Sequence, residues 1–244
     1  MKKNKQENGC RELTLRQTAK YLQKHDNYII LTHASPDGDT LGSAFALYYA
    51  LKEIGKAACV ICPDVIPEKY NYFARQTDHV SRDDATVVAV DVADKRLLGG
   101  LEEEFGDIVD LNIDHHISNV RFAKNLFLDA DAAATAESMY ELLGIMKVNI
   151  NDVTAKALYT GIATDTGCFK YSNVTAKTHM IVAQLYEYNI DAPEINRIMF
   201  DTKSRKLLEL ERMVLDASEF HFGGKCILLP VTAEMQEKTG CSGT

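Results

Sequence analysis

Asp114-His115-His116 closes the apolar run Asp107-Ile-Val-Asp-Leu-Asn-Ile113, so a carboxylate and two imidazoles follow one another where a buried strand should end. Such groups are costly beside an apolar interior unless something positive binds them. Three further segments repeat the arrangement. His33-Ala-Ser-Pro-Asp37-Gly-Asp39 follows Tyr28-Ile-Ile-Leu31, Asp91 follows Thr86-Val-Val-Ala-Val90, and Asp165 sits in Thr160-Gly-Ile-Ala-Thr-Asp-Thr-Gly167. Together they read as one metal site assembled from distant parts of the chain. His33, Asp37, Asp39, Asp91, His115 and Asp165 offer four carboxylates and two neutral imidazoles, a charge that two divalent cations would balance. Mixed oxygen and nitrogen donors without thiolate suit Mn²⁺, Mg²⁺, Fe²⁺ or Co²⁺ better than structural zinc. Without cations these carboxylates repel one another and should raise each other's pKa. Two such ions about 3.5–4 Å apart can activate a water and clamp a phosphoryl oxygen.

Each piece also has a plain structural reading. His33 alone is more often a satisfied polar residue, and Asp37-Gly38-Asp39 alone is an ordinary turn. Asp91 can cap a helix, Thr164-Asp165-Thr166-Gly167 can simply end one, and paired histidines are common on surfaces. The joint occurrence, each segment at the end of an apolar element, favours the metal site.

The elements that must position these residues alternate between helix and strand. Helices are expected over residues 13–25, 41–54 (stopped by Gly55), 132–143, 153–163, 176–188, 192–199 and 202–218. Short β-branched runs over residues 28–31, 57–61, 86–90 and 108–113 suit parallel strands joined by helical crossovers. The fold class is therefore α/β, a parallel β-sheet flanked by helices, and in such sheets ligands gather at the carboxyl ends of the strands. Asp165 falls at a helix end, in a glycine-flanked turn that could fold over the same edge. From residue 219 a β-like pattern begins, with two short runs joined by Gly223-Gly224 as a hairpin. The organisation expected is a catalytic domain over residues 1–200, a helical connector over 201–218, and over 219–244 the start of a C-terminal unit that is cut short.

Composition bounds the function. The chain has 244 residues, 46% of them hydrophobic, enough to bury a sizeable core, and disorder is expected only over about the first ten. A net charge of −8 argues against a broad cationic surface for long duplex nucleic acid, although bound cations would still admit a small anionic substrate. No apolar stretch approaches a membrane span, and the polar start lacks the apolar core of a signal peptide, so the cytoplasm is the expected location. Cys10, Cys59, Cys62, Cys168, Cys226 and Cys241 form no disulfide framework, and Cys59-Val-Ile-Cys62 lies in a strand-like run where it reads as structural.

In combination these motifs resemble the DHH phosphoesterase superfamily. The matching segments are His33-x-x-Pro36-Asp37-Gly38-Asp39-x-x-Gly42-Ser43, Val90-Asp91, Asp114-His115-His116 and Thr160-Gly161-Ile162-x-Thr164-Asp165-Thr166-Gly167-x-Phe169. Within it the likeness is greatest to small bacterial, RecJ-like enzymes that degrade short oligoribonucleotides and dephosphorylate 3′-phosphoadenosine 5′-phosphate. Asn119, the segment 132–137 and Phe169-x-Tyr171 support this. The resemblance implies that His33, Asp37 and Asp91 bind one Mn²⁺ and that Asp39, Asp91, His115 and Asp165 bind a second, with Asp91 bridging. Mg²⁺ or Co²⁺ are alternatives. His116 would face the substrate phosphate as hydrogen-bond donor or general acid, and Asp114 would orient the imidazoles. Gly38 would let the loop turn both flanking carboxylates inward, and Gly161 and Gly167 would shape the turn around Asp165. The implied partner is a short oligonucleotide or phosphonucleoside, with no duplex and no membrane; a homodimer is compatible with the resemblance. The family's second domain carries a Gly-Gly-Gly-His motif that this chain lacks. The alternatives are a manganese-dependent inorganic pyrophosphatase or polyphosphatase on the same site, for which Asp-Thr-Asp would be expected in place of Asp37-Gly38-Asp39, and a non-catalytic nucleotide-binding module.

Overall fold

The computed structural model describes residues 6–7 and 9–241. The expectation of disorder at the start falls partly on residues 1–5 and 8, which lie outside the described residues. Gln6–Glu7 (β1) and Cys10–Glu12 (β2) are strands, so the expectation does not hold there.

The chain continues with α1 (Leu15–Lys24), β3 (Tyr28–Leu31), α2 (Gly38–Glu53), β4 (Ala58–Ile61) and β5 (Thr86–Val90). Then come α3 (Glu102–Phe105), β6 (Leu111–Asp114), β7 (Asn125–Leu128), α4 (Thr135–Met146), α5 (Asp152–Asp165), α6 (Ala176–Leu185) and α7 (Ala192–Asn196). A π-helical turn, Arg197–Asp201, follows, so the helix expected over 192–199 stops early. The strands form one sheet in the order β1-β2-β7-β6-β5-β3-β4, and every pairing is parallel except β1 with β2. This is the α/β fold that the alternating pattern implies.

The sequence explains the sheet's centre. Tyr28–Leu31 and Thr86–Val90 are uninterrupted apolar runs, buried along their whole length, as strands covered on both faces must be. Ile29, Leu31, Val87 and Ala89 pack with Val92, Leu98, Phe105 and Val109 into a core. The Tyr28 hydroxyl donates to the Leu22 carbonyl at 2.6 Å, tying β3 to α1. Helix α2 is buried over all of residues 38–48, the polar Asp39, Thr40 and Ser43 included, and it packs chiefly against α5. Gly55, at φ +77°, follows its last turn as expected.

From β3 the chain passes to β4 on one side of the sheet, and from β5 it passes to β6 on the other. The switch point therefore lies between β3 and β5, the place where sheets of this kind form a crevice at the carboxyl ends of their strands.

The chain divides into two compact units, Met1–Met199 and Phe200–Thr244. The second holds α8 (Arg205–Asp216), an antiparallel hairpin of β8 (Glu219–His221) and β9 (Cys226–Leu228), and α9 (Ala233–Thr239). Gly223 and Gly224, both at positive φ, make the hairpin turn. Among the described residues, no helix is long and apolar enough to cross a membrane.

Candidate metal centre

The crevice at the switch point receives the acidic and imidazole side chains. His33 follows β3, Asp91 follows β5, and Asp114 is the last residue of β6. The Thr40 hydroxyl donates to the Val90 carbonyl at 3.0 Å and so joins the start of α2 to the end of β5. Asp37 is the N-cap of α2, its Oδ1 accepting from the Asp39 and Thr40 N–H groups at 3.0 and 3.1 Å. The turn reading of Asp37-Gly38-Asp39 and its placement at the site hold together, because the cap turns the carboxylate toward His33. Asp165 ends α5 over the same edge. Gly161 does not shape that turn: it lies inside α5, where a Cβ would stand 2.7 Å from the Ala136 Cβ and 2.9 Å from Asp39 Oδ1.

Three overlapping groups of donor atoms result. His33, Asp37 and Asp91 form one, Asp39, His115 and Asp165 a second, and Asp91, His115 and His116 a third, with the donor atoms of each within 4.8 Å of one another. His33 Nε2 lies 3.7 Å from Asp37 Oδ1 and 3.9 Å from Asp91 Oδ2. His115 Nε2 lies 3.2 Å from Asp165 Oδ2, 3.8 Å from Asp91 Oδ1 and 3.9 Å from Asp39 Oδ2. Asp91 thus turns one oxygen to each histidine. It does so from a left-handed backbone, φ +61°, which is costly for a residue with a side chain and is held here by the ladder bond from its N–H to the Ile113 carbonyl.

The imidazoles are aimed by their other nitrogens. His33 Nδ1 is 2.8 Å from the Ala34 carbonyl, and His115 Nδ1 is 3.1 Å from the Ala132 carbonyl. A carbonyl only accepts, so both rings carry their proton on Nδ1 and turn the Nε2 lone pair to the carboxylates. His115 Nε2 is buried and has no hydrogen-bond partner. A lone pair facing three carboxylates is stable only with a cation among them, either protons or a metal ion, and the donor set fits a divalent ion.

The proton affinities agree. Burial pushes Asp39 well above the usual carboxylate range, and repulsion from Asp91 and Asp165 adds to it. Asp91 is raised to about 7 by burial and the nearby Asp37 charge, against the relief given by His115 and Thr135. Burial opposes charge on His33, but Asp37, the Ala34 carbonyl and Asp91 outweigh it and raise the ring to about 9. Burial likewise opposes charge on His115, and Asp165, Asp39 and Asp91 raise it. Mutual elevation of the carboxylates is not general, however. Desolvation would raise Asp37, but hydrogen bonds from His33 and from the Thr40 N–H hold it below its ordinary value.

Asp114 is fully buried and organises the third group. Its Oδ1 accepts from the His116 ring at 2.8 Å and from the His115 and His116 N–H groups, and its Oδ2 accepts from Asn119 Nδ2 at 2.6 Å. Burial would raise it, yet His116 and Asn119 keep it below the usual range. It orients only one imidazole, since the His115 ring is set by Ala132. His116 is 43% exposed at its side chain, with Nδ1 turned to Asp114.

Helix α4 supplies groups that the sequence reading passed over. The Thr135 and Ala136 N–H groups donate to Asp39 Oδ2 and Oδ1 at 2.7 and 2.9 Å, and the Ser43 hydroxyl adds a third bond at 3.2 Å. The Thr135 hydroxyl donates to Asp91 Oδ1 at 2.7 Å. The signal available was Ala134, an N-cap without a capping side chain: the start of α4 needs an acceptor from elsewhere, and Asp39 provides it.

The family described as "DHH family, N-terminal domain" matches residues 27–162. The bifunctional oligoribonuclease and PAP phosphatase NrnA of Thermus thermophilus is 35% identical over 218 residues, a match covering 86% of this chain and 64% of that relative. The chain thus spans less than two thirds of that relative's length. A probable manganese-dependent inorganic pyrophosphatase of Enterococcus faecalis is 24% identical over 216 residues, covering 82% of this chain and 68% of the relative. An exopolyphosphatase-related protein from Bacteroides fragilis superposes with a TM-score of 0.82 at 25% identity, covering 93% of this chain and 71% of that one.

Proposed function

The chain belongs to the DHH family, and on that premise we propose that it is a divalent-cation-dependent phosphoesterase acting on short oligoribonucleotides and on 3′-phosphoadenosine 5′-phosphate. The observation that carries the reading is the double use of Asp91, whose two oxygens face the His33–Asp37 group on one side and the His115 group on the other. In this reading His33, Asp37 and Asp91 hold one ion, Mn²⁺ by preference, and Asp39, Asp91, His115 and Asp165 hold another. Two such ions, when bound, polarise a phosphoryl oxygen and lower the pKa of a water.

The chain's own side chains do the rest. Thr135 and the start of α4 fix the Asp91 and Asp39 carboxylates, so neither has to reorganise when charge builds on phosphorus. His116 turns Nδ1 to Asp114, which leaves Nε2 to face the substrate phosphate and serve the leaving oxygen as hydrogen-bond donor or general acid. Asp114, kept anionic by the hydrogen bonds from His116 and Asn119, fixes the orientation of that ring much as a triad aspartate does. Residues 1–200 act as the catalytic domain, 201–218 as a connector and 219–244 as part of a substrate-binding unit.

The test is to follow product release from a diribonucleotide, from 3′-phosphoadenosine 5′-phosphate and from pyrophosphate, each with Mn²⁺. Cleavage of the first two and loss of both in Asp91→Ala, together with loss of about two bound Mn²⁺ per chain, is the expected result. Hydrolysis of pyrophosphate alone would move the chain to the pyrophosphatase reading, which the Enterococcus relative supports. Metal uptake without hydrolysis of any of the three would make it a non-catalytic binding module.

A further inference from the structure

We propose that Tyr171 is the surface on which a base of the substrate stacks, and so a residue that favours base-bearing over base-free phosphates without choosing among bases; this rests on the nucleotide reading above. The residues after Asp165 turn sharply. Gly167, Cys168 and Phe169 are left-handed in succession, with φ of +54°, +56° and +65°. The loop is tied down throughout. The Thr166 hydroxyl donates to the Ile162 carbonyl at 2.6 Å and accepts from the Phe169 N–H at 3.1 Å. The Lys170 and Tyr171 N–H groups donate to the Thr166 carbonyl at 2.9 and 3.1 Å. Asn173 Nδ2 donates to the Asp165 and Ala133 carbonyls, pinning the far end of the loop to the metal centre.

The Tyr171 ring lies flat on Gly167. A Cβ there would stand 2.3, 2.4 and 2.7 Å from its Cζ, Cε1 and Cε2 atoms, near-equal distances that place the ring's face against the glycine. Only a residue without a side chain permits that contact. The Gly167 Cα is no farther than about 7.6 Å from that of Asp165, two peptide units away. Yet Tyr171 remains 61% exposed, and among the described residues its hydroxyl makes no hydrogen bond. A strained, heavily tied loop and a glycine thus hold an exposed aromatic ring on the turn that directly follows Asp165.

What such a face would bind follows from the chemistry of a short nucleotide. In the reading above the cation site takes the phosphate, and the base, which is flat and uncharged, is left for an uncharged contact. Stacking on an aromatic ring supplies it and tolerates every base.

The chain contains no tryptophan, so Tyr171→Trp creates a single fluorescent reporter. With Mn²⁺ present, adenosine 5′-monophosphate should quench its emission and ribose 5-phosphate, which lacks the base, should not. A Tyr186→Trp control should respond to neither. In kinetics on a diribonucleotide, Tyr171→Ala should raise KM about tenfold and far more than it changes kcat, and Tyr171→Phe should restore KM. Equal response to both ligands, no quenching, or an unchanged KM in Tyr171→Ala overturns the assignment. If the unaltered chain cleaves no oligonucleotide, the functional reading fails, while the fluorescence titration still decides whether Tyr171 meets a base.

Discussion

Replacing Gly161 by alanine tests whether the metal centre and the helix packing are one structure. A Cβ at this position would stand 2.7 Å from the Ala136 Cβ and 2.9 Å from Asp39 Oδ1. Carbon atoms in ordinary contact are about 3.5–4.0 Å apart, so α4 and α5 would have to separate by about 1 Å. Overpacking of this kind costs about 1–3 kcal/mol, and alanine's better helix propensity returns up to about 1 kcal/mol. A net loss of about 1–2 kcal/mol in a unit of this size lowers Tm by roughly 3–8 °C. The carboxylate of Asp39 would move with α4, and displaced supports around a metal ligand typically weaken binding by about 10–100-fold. Gly144, in the same helix α4, is the control: a Cβ there meets nothing within 4 Å, so Gly144→Ala should leave metal binding alone and raise stability by about 0.5–1 kcal/mol. Thermal melts in EDTA and calorimetric Mn²⁺ titration read both effects. If Gly161→Ala melts like the parent and binds Mn²⁺ equally well, the coupling of helix contact to carboxylate position is wrong.

Thr135→Val keeps the shape of the side chain but removes the 2.7 Å bond to Asp91, and Mn²⁺ affinity should fall about 10–100-fold; an unchanged titration would deny Thr135 its positioning role. Without a cation, stability should fall as pH rises. His33, raised from 6.5 to about 9, contributes fully below about pH 6.5 and loses that contribution as pH passes 9, while Asp91, raised from 3.8 to about 7, costs the fold progressively more between about pH 4 and 7. In EDTA, Tm should therefore decline from pH 6 to 9, and the added stability given by Mn²⁺ should grow over the same range; flat profiles would contradict the cation-seeking description of the site. Tyr28→Phe removes a buried hydrogen bond to the Leu22 carbonyl and should cost about 1–2 kcal/mol by urea unfolding, with metal binding unaffected; a stability equal to the parent's would show that bond to be without consequence.

Much of this arrangement is legible in the chain itself. The strands Tyr28–Leu31 and Thr86–Val90 appear at their true limits because each is an unbroken β-branched and apolar run. The run before Asp114 misleads at its start. Ile108 is apolar but its N–H turns back to the Phe105 carbonyl, and Asp110 uses its carboxylate to accept the Val87 N–H at 3.0 Å, so the strand begins only at Leu111. Strands β2 and β7 escape notice because they are short and set polar residues opposite each other, Arg11 against Asn125. The cation-seeking residues declare themselves by type and position. The backbone N–H groups that hold them do not, since Thr135 reaches Asp39 across 96 residues of chain and any residue has an N–H to give.

The bonds between Asp39 and the first turn of α4 bear on how relatives of this chain should be compared. Asp39 finishes the end of a helix whose own N-cap is an alanine, so a descendant that no longer handled phosphate would still be selected to keep an acceptor there. An aspartate at that alignment column is therefore weak evidence of a working enzyme. His33 and Asp165 carry no such architectural duty in their side chains, and it is their replacement that should mark a lineage in which the chemistry has lapsed.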